Sequence, residues 1–322
     1  MTTTRCGFVA IVGEPNAGKS TLLNRLAGAK LSIVSPKAQT TRFRVIGILM
    51  RDVKAELPAE SPQDAANPPA AAKPAGRTQI LLVDTPGIFR PKRKLDRAMV
   101  AAAWTGSDDA DISLVLVDAR AGVTEGVREI AAKLQGSGRR LWLVLNKTDL
   151  VPRLRLLPLT AELTSLFNVE RTLMVSARSG DGLEDLLDGL AGALPLGPFL
   201  YPEDDLTDLP DRLLAAEMVR EQIFMQTHEE VPYAATVETE SFREQPDGSV
   251  RIEATIYVSR AGHKGILIGD KGTRIKAIGE KARHGLAVLL DRPCHLFLNV
   301  KERAGWDEER ARLRAIGLDD KS

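Results

Sequence analysis

Short apolar runs without polar alternation punctuate the first part of the chain: Phe8–Val12, Ile80–Val83, Leu114–Val117, Leu141–Leu145 and Leu173–Val175. Such runs fit strands buried on both faces. Segments with apolar residues at helical spacing separate most of them, among them Ser20–Leu26, Val127–Leu134 and Leu183–Leu194. Strands alternating with helices predict an α/β fold with a doubly wound, mostly parallel sheet.

Two stretches interrupt the pattern. Residues 57–76 are rich in Pro and Ala and nearly free of large apolar side chains. Such a segment buries no core and is expected to be disordered. If the strands Phe43–Met50 and Gln79–Val83 pair as a hairpin, this insertion sits at its tip, away from the carboxyl ends of the sheet where ligands bind. The second stretch, Leu194 to Arg212, holds Pro195, Pro198, Pro202 and Pro210 together with five acidic residues. It reads as a stiff, solvated linker. Beyond it the pattern becomes helix (Leu213–Thr227), two alternating strands (Thr236–Phe242 and Val250–Val258) about an Asp247-Gly248 turn, a glycine loop, helix to about Leu290 and a strand at His295–Val300. The order is α-β-β-α-α-β. The expected division is a first domain over 1–195, a linker over 196–211 and a second domain over 212–322.

Composition narrows the class. A chain of 322 residues with 43% apolar and 27% charged residues suits two soluble globular domains. The formal net charge of +1 gives no global sign of a nucleic-acid or membrane partner, so any such sign is local. Cys6 and Cys294 are far apart and near no His cluster, which argues against a disulfide framework or a zinc site. The apolar run near the start is too short for a signal peptide or a membrane span, and a cytoplasmic location is expected.

The chemistry begins at the end of the first apolar run. Gly13-Glu14-Pro15-Asn16-Ala17-Gly18-Lys19-Ser20, followed by Thr21, is a complete G-x-x-x-x-G-K-S between a strand and a helix. Gly13 and Gly18 let the backbone wrap so that its N–H groups point at phosphate oxygens, and the helix N-terminus adds a favourable dipole. Lys19 then reaches the β- and γ-phosphates and Ser20 ligates Mg²⁺. Asn146-Lys147-Thr148-Asp149 ends the run LWLVL. An ionised Asp only accepts hydrogen bonds, so Asp149 suits the paired N1–H and N2–H₂ donors of guanine, which adenine lacks. Ser176-Ala177 follows another strand and offers a backbone contact to the guanine carbonyl. Asp84-Thr85-Pro86-Gly87 ends the run ILLV. Asp84 would hold Mg²⁺ through a water, and the Gly87 N–H would sense the γ-phosphate. The remaining switch should lie in SPKAQTTR, where Thr40 and Thr41 both offer a hydroxyl to the metal and Thr41 is favoured. Ile88 follows Gly87 at the place where Ras-like GTPases orient the attacking water with glutamine.

In the second domain, Gly269-Asp270-Lys271-Gly272 is a G-x-x-G between an apolar run and a helix. Two glycines allow the close backbone approach with which a KH module clamps nucleotides. From Ser259 to Arg283 seven Lys/Arg face two acidic residues. This local positive surplus marks Lys264, Lys271, Arg274 and Lys276, with the loop, as an RNA-binding surface. Most of the isoleucines and leucines around the loop are expected to be core. His263 and His284 flank it and read as surface histidines.

GEPNAGKST, QTTR, DTPGI, NKTD and SAR in one chain, followed by YPEDDLTD and the C-terminal glycine loop, closely resemble the bacterial Era GTPase family from about Arg5 to Asp320. The insertion at 57–76 is the one clear departure. The resemblance implies a Ras-like P-loop GTPase domain followed by an α+β type II KH domain, with GTP and GDP as ligands. It implies binding to the 3′ end of small-subunit ribosomal RNA, a role in assembly of the small ribosomal subunit and peripheral membrane association. A monomer is expected. In Era-like GTPases with an apolar residue after D-x-x-G, an Asn at the position of Asn16 is linked to K⁺ acting as an arginine finger. The residues expected to carry catalysis are therefore Lys19, Asn16, Thr41 and Gly87. The alternatives are a related tRNA-modification or other RNA-processing GTPase, or an RNA-binding checkpoint protein with little turnover.

Overall fold

The computed structural model describes residues 3–37, 40–53, 76–89, 91, 94–309 and 318. A six-stranded sheet in the order β2-β3-β1-β4-β5-β6 organises the first domain. Its strands are β1 (Thr3–Val12), β2 (Val45–Val53), β3 (Gly76–Asp84), β4 (Ile112–Asp118), β5 (Leu141–Asn146) and β6 (Arg171–Met174). Only the β2–β3 pair is antiparallel, with Val53 opposite Gly76 at its open end. The insertion therefore joins the two strands at the far end from Asp84. Residues 57–75 of it lie outside the described residues.

Helices α1 (Lys19–Ala27), α2 (Lys94–Asp108), α3 (Glu125–Leu134), α4 (Arg153–Leu166) and α5 (Leu183–Ala193) cover the sheet. In α3 the physics is local. The Thr124 hydroxyl caps it by accepting the Val127 N–H at 3.1 Å, and Val127, Ile130, Ala131 and Leu134 form the buried stripe. Helices α2 and α4 stand out less in the pattern. α4 carries Pro158 within it, and Leu154 and Leu157 point outward, 90% and 72% exposed, so its apolar residues mark no single face. Val9, Ile11, Ile80, Leu82 and Leu114 pack into one core layer. Val115, Val117, Leu143 and Leu145 pack into the other with α3 and α4.

The second domain is α6 (Asp211–Gln226), β7 (Ala235–Glu244), β8 (Val250–Val258), α7 (Ala261–Ile268), α8 (Thr273–Leu289) and β9 (Cys294–Glu302). This is the predicted α-β-β-α-α-β order. The apolar run before the glycine loop is part of α7. The strands form a sheet β7-β8-β9. Both cysteines are buried and free. Among the described residues no helix is long and apolar enough to cross a membrane.

The linker departs from expectation. Its acidic side chains do face solvent, but its backbone is docked on the sheet. Gly47 bridges Thr207, and Ile48 N–H donates to Leu206 O at 3.0 Å. Phe199 and Tyr201 pack on the patch formed by Cys6, Ile46, Ile48, Leu81 and Val83. Gln79, wholly buried, is the staple: its Oε1 accepts the N–H groups of Leu200 (2.9 Å) and Tyr201 (3.1 Å), and its Nε2 donates to Tyr201 O at 2.8 Å. Proline and acid content record which side chains are solvated and carry no sign of where the main chain pairs.

Gln79→Ala leaves these linker groups without partners. Since an unsatisfied buried polar group costs roughly 1–3 kcal/mol, the expected loss is about 2–4 kcal/mol. It should appear as a lower urea midpoint at constant slope, with faster proteolysis within 196–211. An unchanged midpoint would show that other contacts hold the linker.

Candidate functional site

The predicted nucleotide residues meet at the carboxyl end of the first sheet. A cleft of about 370 Å³ is lined by Pro15, Asn16, Gly18–Thr21, residues 33–36, Thr40, Thr41, Gly87 and Lys147. The glycines are required by contact as well as by conformation. A Cβ on Gly13 would meet Leu116 O at 2.4 Å, and one on Gly18, whose φ is +100°, would meet Asn146 Nδ2 at 2.2 Å. Lys19 is buried and donates to Gly13 O (3.1 Å) and Glu14 O (2.9 Å). Burial pulls its ammonium down to about 8, against the pull of Asp84 and Glu14. An anionic phosphate here would restore the charge that burial disfavours.

Asp84 gathers the hydroxyls. Its Oδ2 accepts from Ser20 Oγ at 2.6 Å, Ser32 Oγ at 2.7 Å and Thr41 Oγ1 at 3.4 Å, and Ser20 and Thr41 lie 2.9 Å apart. Of the two threonines weighed for the switch, Thr41 brings its hydroxyl here, whereas Thr40 uses its carbonyl elsewhere. Burial drives the Asp84 carboxyl upward, opposed by Lys19 and the hydroxyls. Its Oδ1 is buried with no protein partner. Among the described residues no group of three or more His, Cys, Asp or Glu could hold a metal ion. One carboxylate plus hydroxyls beside a phosphate cradle fits Mg²⁺, which keeps waters and shares phosphate oxygens. Thr85 is buried with its hydroxyl on Ile11 O at 2.7 Å. Pro86 is buried, and Gly87 abuts the loop: a Cβ on it would lie 2.9 Å from Pro15 N. Ile88 donates its N–H to Gly13 O at 3.1 Å, and its side chain packs with the second core layer. It is turned away from the cleft.

The guanine motif is bonded to the phosphate loop. Asn146 Nδ2 donates to Ala17 O at 2.9 Å and Lys147 Nζ to Asn16 O at 2.6 Å. Lys147 also pairs with Asp118 at 2.6 Å. Asp118 stands at the end of β4, and its only signal in sequence is that position. Asp149 Oδ1 accepts the Ser176 hydroxyl at 2.7 Å, and Thr148 Oγ1 donates to Val175 O at 3.0 Å. The Ser176 and Ala177 N–H groups, read as contacts to a guanine carbonyl, are donated within the protein to Asp181 O and Asn146 Oδ1, both at 3.0 Å.

The second domain grips the switch segment. Arg220 on α6, 2% exposed, pairs with Glu217 and donates to Thr40 O at 2.6 Å. Lys37 Nζ reaches the α6 C-terminal carbonyls of Phe224 and Thr227. Arg42 lies over the Trp306 ring at 5.1 Å, and Trp306 and Leu318 join the core of the first domain. The second switch continues into a basic run, Arg-Pro-Lys-Arg-Lys at 90–94, of which residues 90, 92 and 93 lie outside the described residues.

At the glycine loop, Gly269 (φ +73°) and Gly272 (φ +80°) flank Lys271. Lys264, Asp270, Lys271, Arg274 and Lys276 are exposed, and Gly269 and Gly272 are partly so. Arg274 also donates to Ile266 O at 2.8 Å. Leu267 and Ile278 are core, as expected, whereas Ile266 is 42% exposed. Between α8 and β9 runs a cleft of about 580 Å³ lined by Ile275, Lys276, Gly279, Arg283, Phe297 and neighbours. Phe297 and Arg251, whose guanidinium lies 4.1 Å over its ring, add an aromatic platform that the loop motif does not reveal. His263 is a correction: it is buried, 3.0 Å from Glu230, because α7 turns it inward. His284 is exposed.

Residues 8–147 match the family described as 50S ribosome-binding GTPase, and residues 230–307 match the KH domain. The GTPase Era of Afipia carboxidovorans is 48% identical over 316 residues, spanning 98% of this chain and 95% of that one. The GTPase Era of Brucella suis is 48% identical over 318 residues, spanning 99% and 94%. A point variant of Aquifex aeolicus Era bound to GDP·AlF4⁻ superimposes with a TM-score of 0.85 at 37% identity, covering 98% of this chain and 99% of that one. So does Era in complex with MgGDPNP and nucleotides 1506–1542 of 16S ribosomal RNA, with the same TM-score of 0.85, identity of 37% and coverage.

The guanine reading is tested at one atom. Asp149→Asn replaces an acceptor by an amide, which complements the C2 carbonyl of xanthine. Hydrogen bonds to a charged group contribute about 1.5–3 kcal/mol each, so GTP affinity should fall at least about a hundredfold while XTP affinity rises. Competition binding with both nucleotides reads the switch, and retained GTP preference would exclude the assigned contact.

Proposed function

This chain belongs to the Era family of GTPases, and we propose that it is a slow GTP-driven switch that binds the 3′ end of small-subunit ribosomal RNA and acts in assembly of the small ribosomal subunit. It hydrolyses GTP to GDP and phosphate. One observation carries the reading: the guanine motif is hydrogen-bonded to the phosphate loop through Asn146 and Lys147, in a chain whose second domain presents a basic G-x-x-G cleft.

Each protein group has a task. The loop N–H groups and Lys19 hold the phosphates, and Asp149 selects guanine. Ser20 and Thr41 would hold Mg²⁺ directly and Asp84 through a water. Bound there, Mg²⁺ neutralises charge on the β- and γ-phosphates. The Gly87 N–H, at the cleft beside Pro15, would sense the γ-phosphate. With Ile88 packed away, the attacking water is oriented by backbone and solvent, and slow intrinsic turnover follows. Asn16 supports a K⁺-assisted reading. It is exposed at the cleft mouth with φ of +64°, its Nδ2 lies 3.4 Å from Pro36 O, and among the described residues nothing bonds its Oδ1. A monovalent cation held there would place positive charge where phosphate charge develops.

The RNA reading rests on exposed Lys264, Lys271, Arg274 and Lys276 around two left-handed glycines, with Phe297 available for base stacking. A cytoplasmic monomer completes the reading. Peripheral membrane contact belongs to it as well, and Leu154 and Leu157 beside Arg153 and Arg155 offer a surface for it.

GTP turnover should be faster in K⁺ than in Na⁺, and Asn16→Ala should remove the difference without abolishing GTP binding. Equal rates in both salts, by phosphate release, would overturn the cation role. For RNA, anisotropy with a labelled single strand of the small-subunit 3′ end should show weaker binding for the Lys271→Glu, Lys276→Glu double variant. Each lost phosphate contact lowers the salt slope by about 0.7. Unaltered affinity and slope would remove RNA binding from this loop.

A further inference from the structure

Ser32 belongs to none of the nucleotide motifs. It lies in the loop after α1, is 3% exposed, and donates its hydroxyl to Asp84 Oδ2 at 2.7 Å. The loop is fixed from behind by Asn24, one turn along α1 from Ser20. Asn24 Oδ1 accepts the N–H groups of Leu31 (3.0 Å) and Ser32 (2.9 Å), and its Nδ2 donates to Ser32 O at 2.7 Å. Three bonds from one side chain hold the Ser32 backbone against α1. Ser32 is thus tied to the helix that carries Ser20 and Asn24.

Thr41 differs. It stands 3.4 Å from Asp84 Oδ2, and the residues before it are tied to the second domain through Arg220 and Lys37. A switch threonine of this kind is held at the metal by the γ-phosphate and released after hydrolysis. The hydroxyls that remain are Ser20 and Ser32. Both bond Oδ2, which leaves Oδ1, buried and without a protein partner, as the oxygen for a metal-bound water.

We propose that Ser32, braced by Asn24, is a positioning residue that orients the Asp84 carboxylate toward Mg²⁺ and keeps it oriented in the GDP state, after Thr41 has left. This rests on the Mg²⁺-dependent GTPase reading above. The partners that orient metal ligands typically govern affinity by about 10–100-fold.

The test is release of a fluorescent GDP analogue from the full-length protein across a Mg²⁺ titration. In the wild type, Mg²⁺ slows release with a definite midpoint. Ser32→Ala should raise that midpoint about tenfold or more, with the release rate at saturating Mg²⁺ nearly unchanged. Ser32→Cys keeps the shape of the side chain but weakens the donor, and should move the midpoint the same way by less. With a GTP analogue, where Thr41 contributes, both shifts should be smaller. A midpoint within twofold of wild type in Ser32→Ala overturns the proposal. A faster plateau with an unmoved midpoint makes Ser32 merely structural and also overturns it. A wild type insensitive to Mg²⁺ overturns the metal reading itself, and the proposal with it.

Discussion

A lysine ammonium and an aspartate carboxylate, both buried, share the end of the first sheet. Burial works against each charge, and each is the other's main support. Removing an ion from water costs several kcal/mol unless a partner and hydrogen bonds compensate. The surroundings answer that demand. Two loop carbonyls receive Lys19, three hydroxyls receive one oxygen of Asp84, and glycines stand where any side chain would push the loop away. What remains is asymmetric: the lysine suits an anion and the free carboxylate oxygen suits a hydrated cation. A nucleotide triphosphate with its magnesium supplies both at once, so binding relieves a tension that folding created.

The same segment serves two masters. Thr41 touches Asp84 on one side, while Thr40, Lys37 and Arg42 are engaged by α6, by its terminal carbonyls and by Trp306. Arg220, almost fully buried and paired with Glu217, cannot follow a shifted Thr40 carbonyl without uncovering that pair. A change at the γ-phosphate that shifted Thr40 would therefore meet α6, the first helix of the RNA-binding domain, which packs on α8.

Much of this was legible in the order of residues. The strands that matter end in their motifs, and each motif is a contiguous set whose chemistry depends on local backbone shape. That is why Gly13 to Ser20, Asp84 to Gly87 and Asn146 to Asp149 could be expected together at one end of the first sheet by reading alone. What resisted reading depends on distant partners. Ser32 looks like any loop serine until β3 brings Asp84 to it, and Asp118 is unremarkable until Lys147 folds over it. His263, read as a surface residue, is turned by helical phase toward Glu230. α4 has its leucines on several faces, and periodicity fails when exposure is not periodic. Ile88 posed as a missing catalytic group, and its place in the second core layer makes it a packing residue.

The docked linker has a consequence for the protein among its own copies. β2 is the edge of the large sheet, and an unpaired edge rich in Val, Ile and Leu is a template for stray strand pairing. Thr207 and Leu206 occupy its hydrogen-bonding positions at Gly47 and Ile48, and a row of carboxylates beyond them faces outward. The segment that joins the domains is thus also a guard rail. Where it docks, it takes the hydrogen-bonding positions that a strand from another molecule would otherwise use.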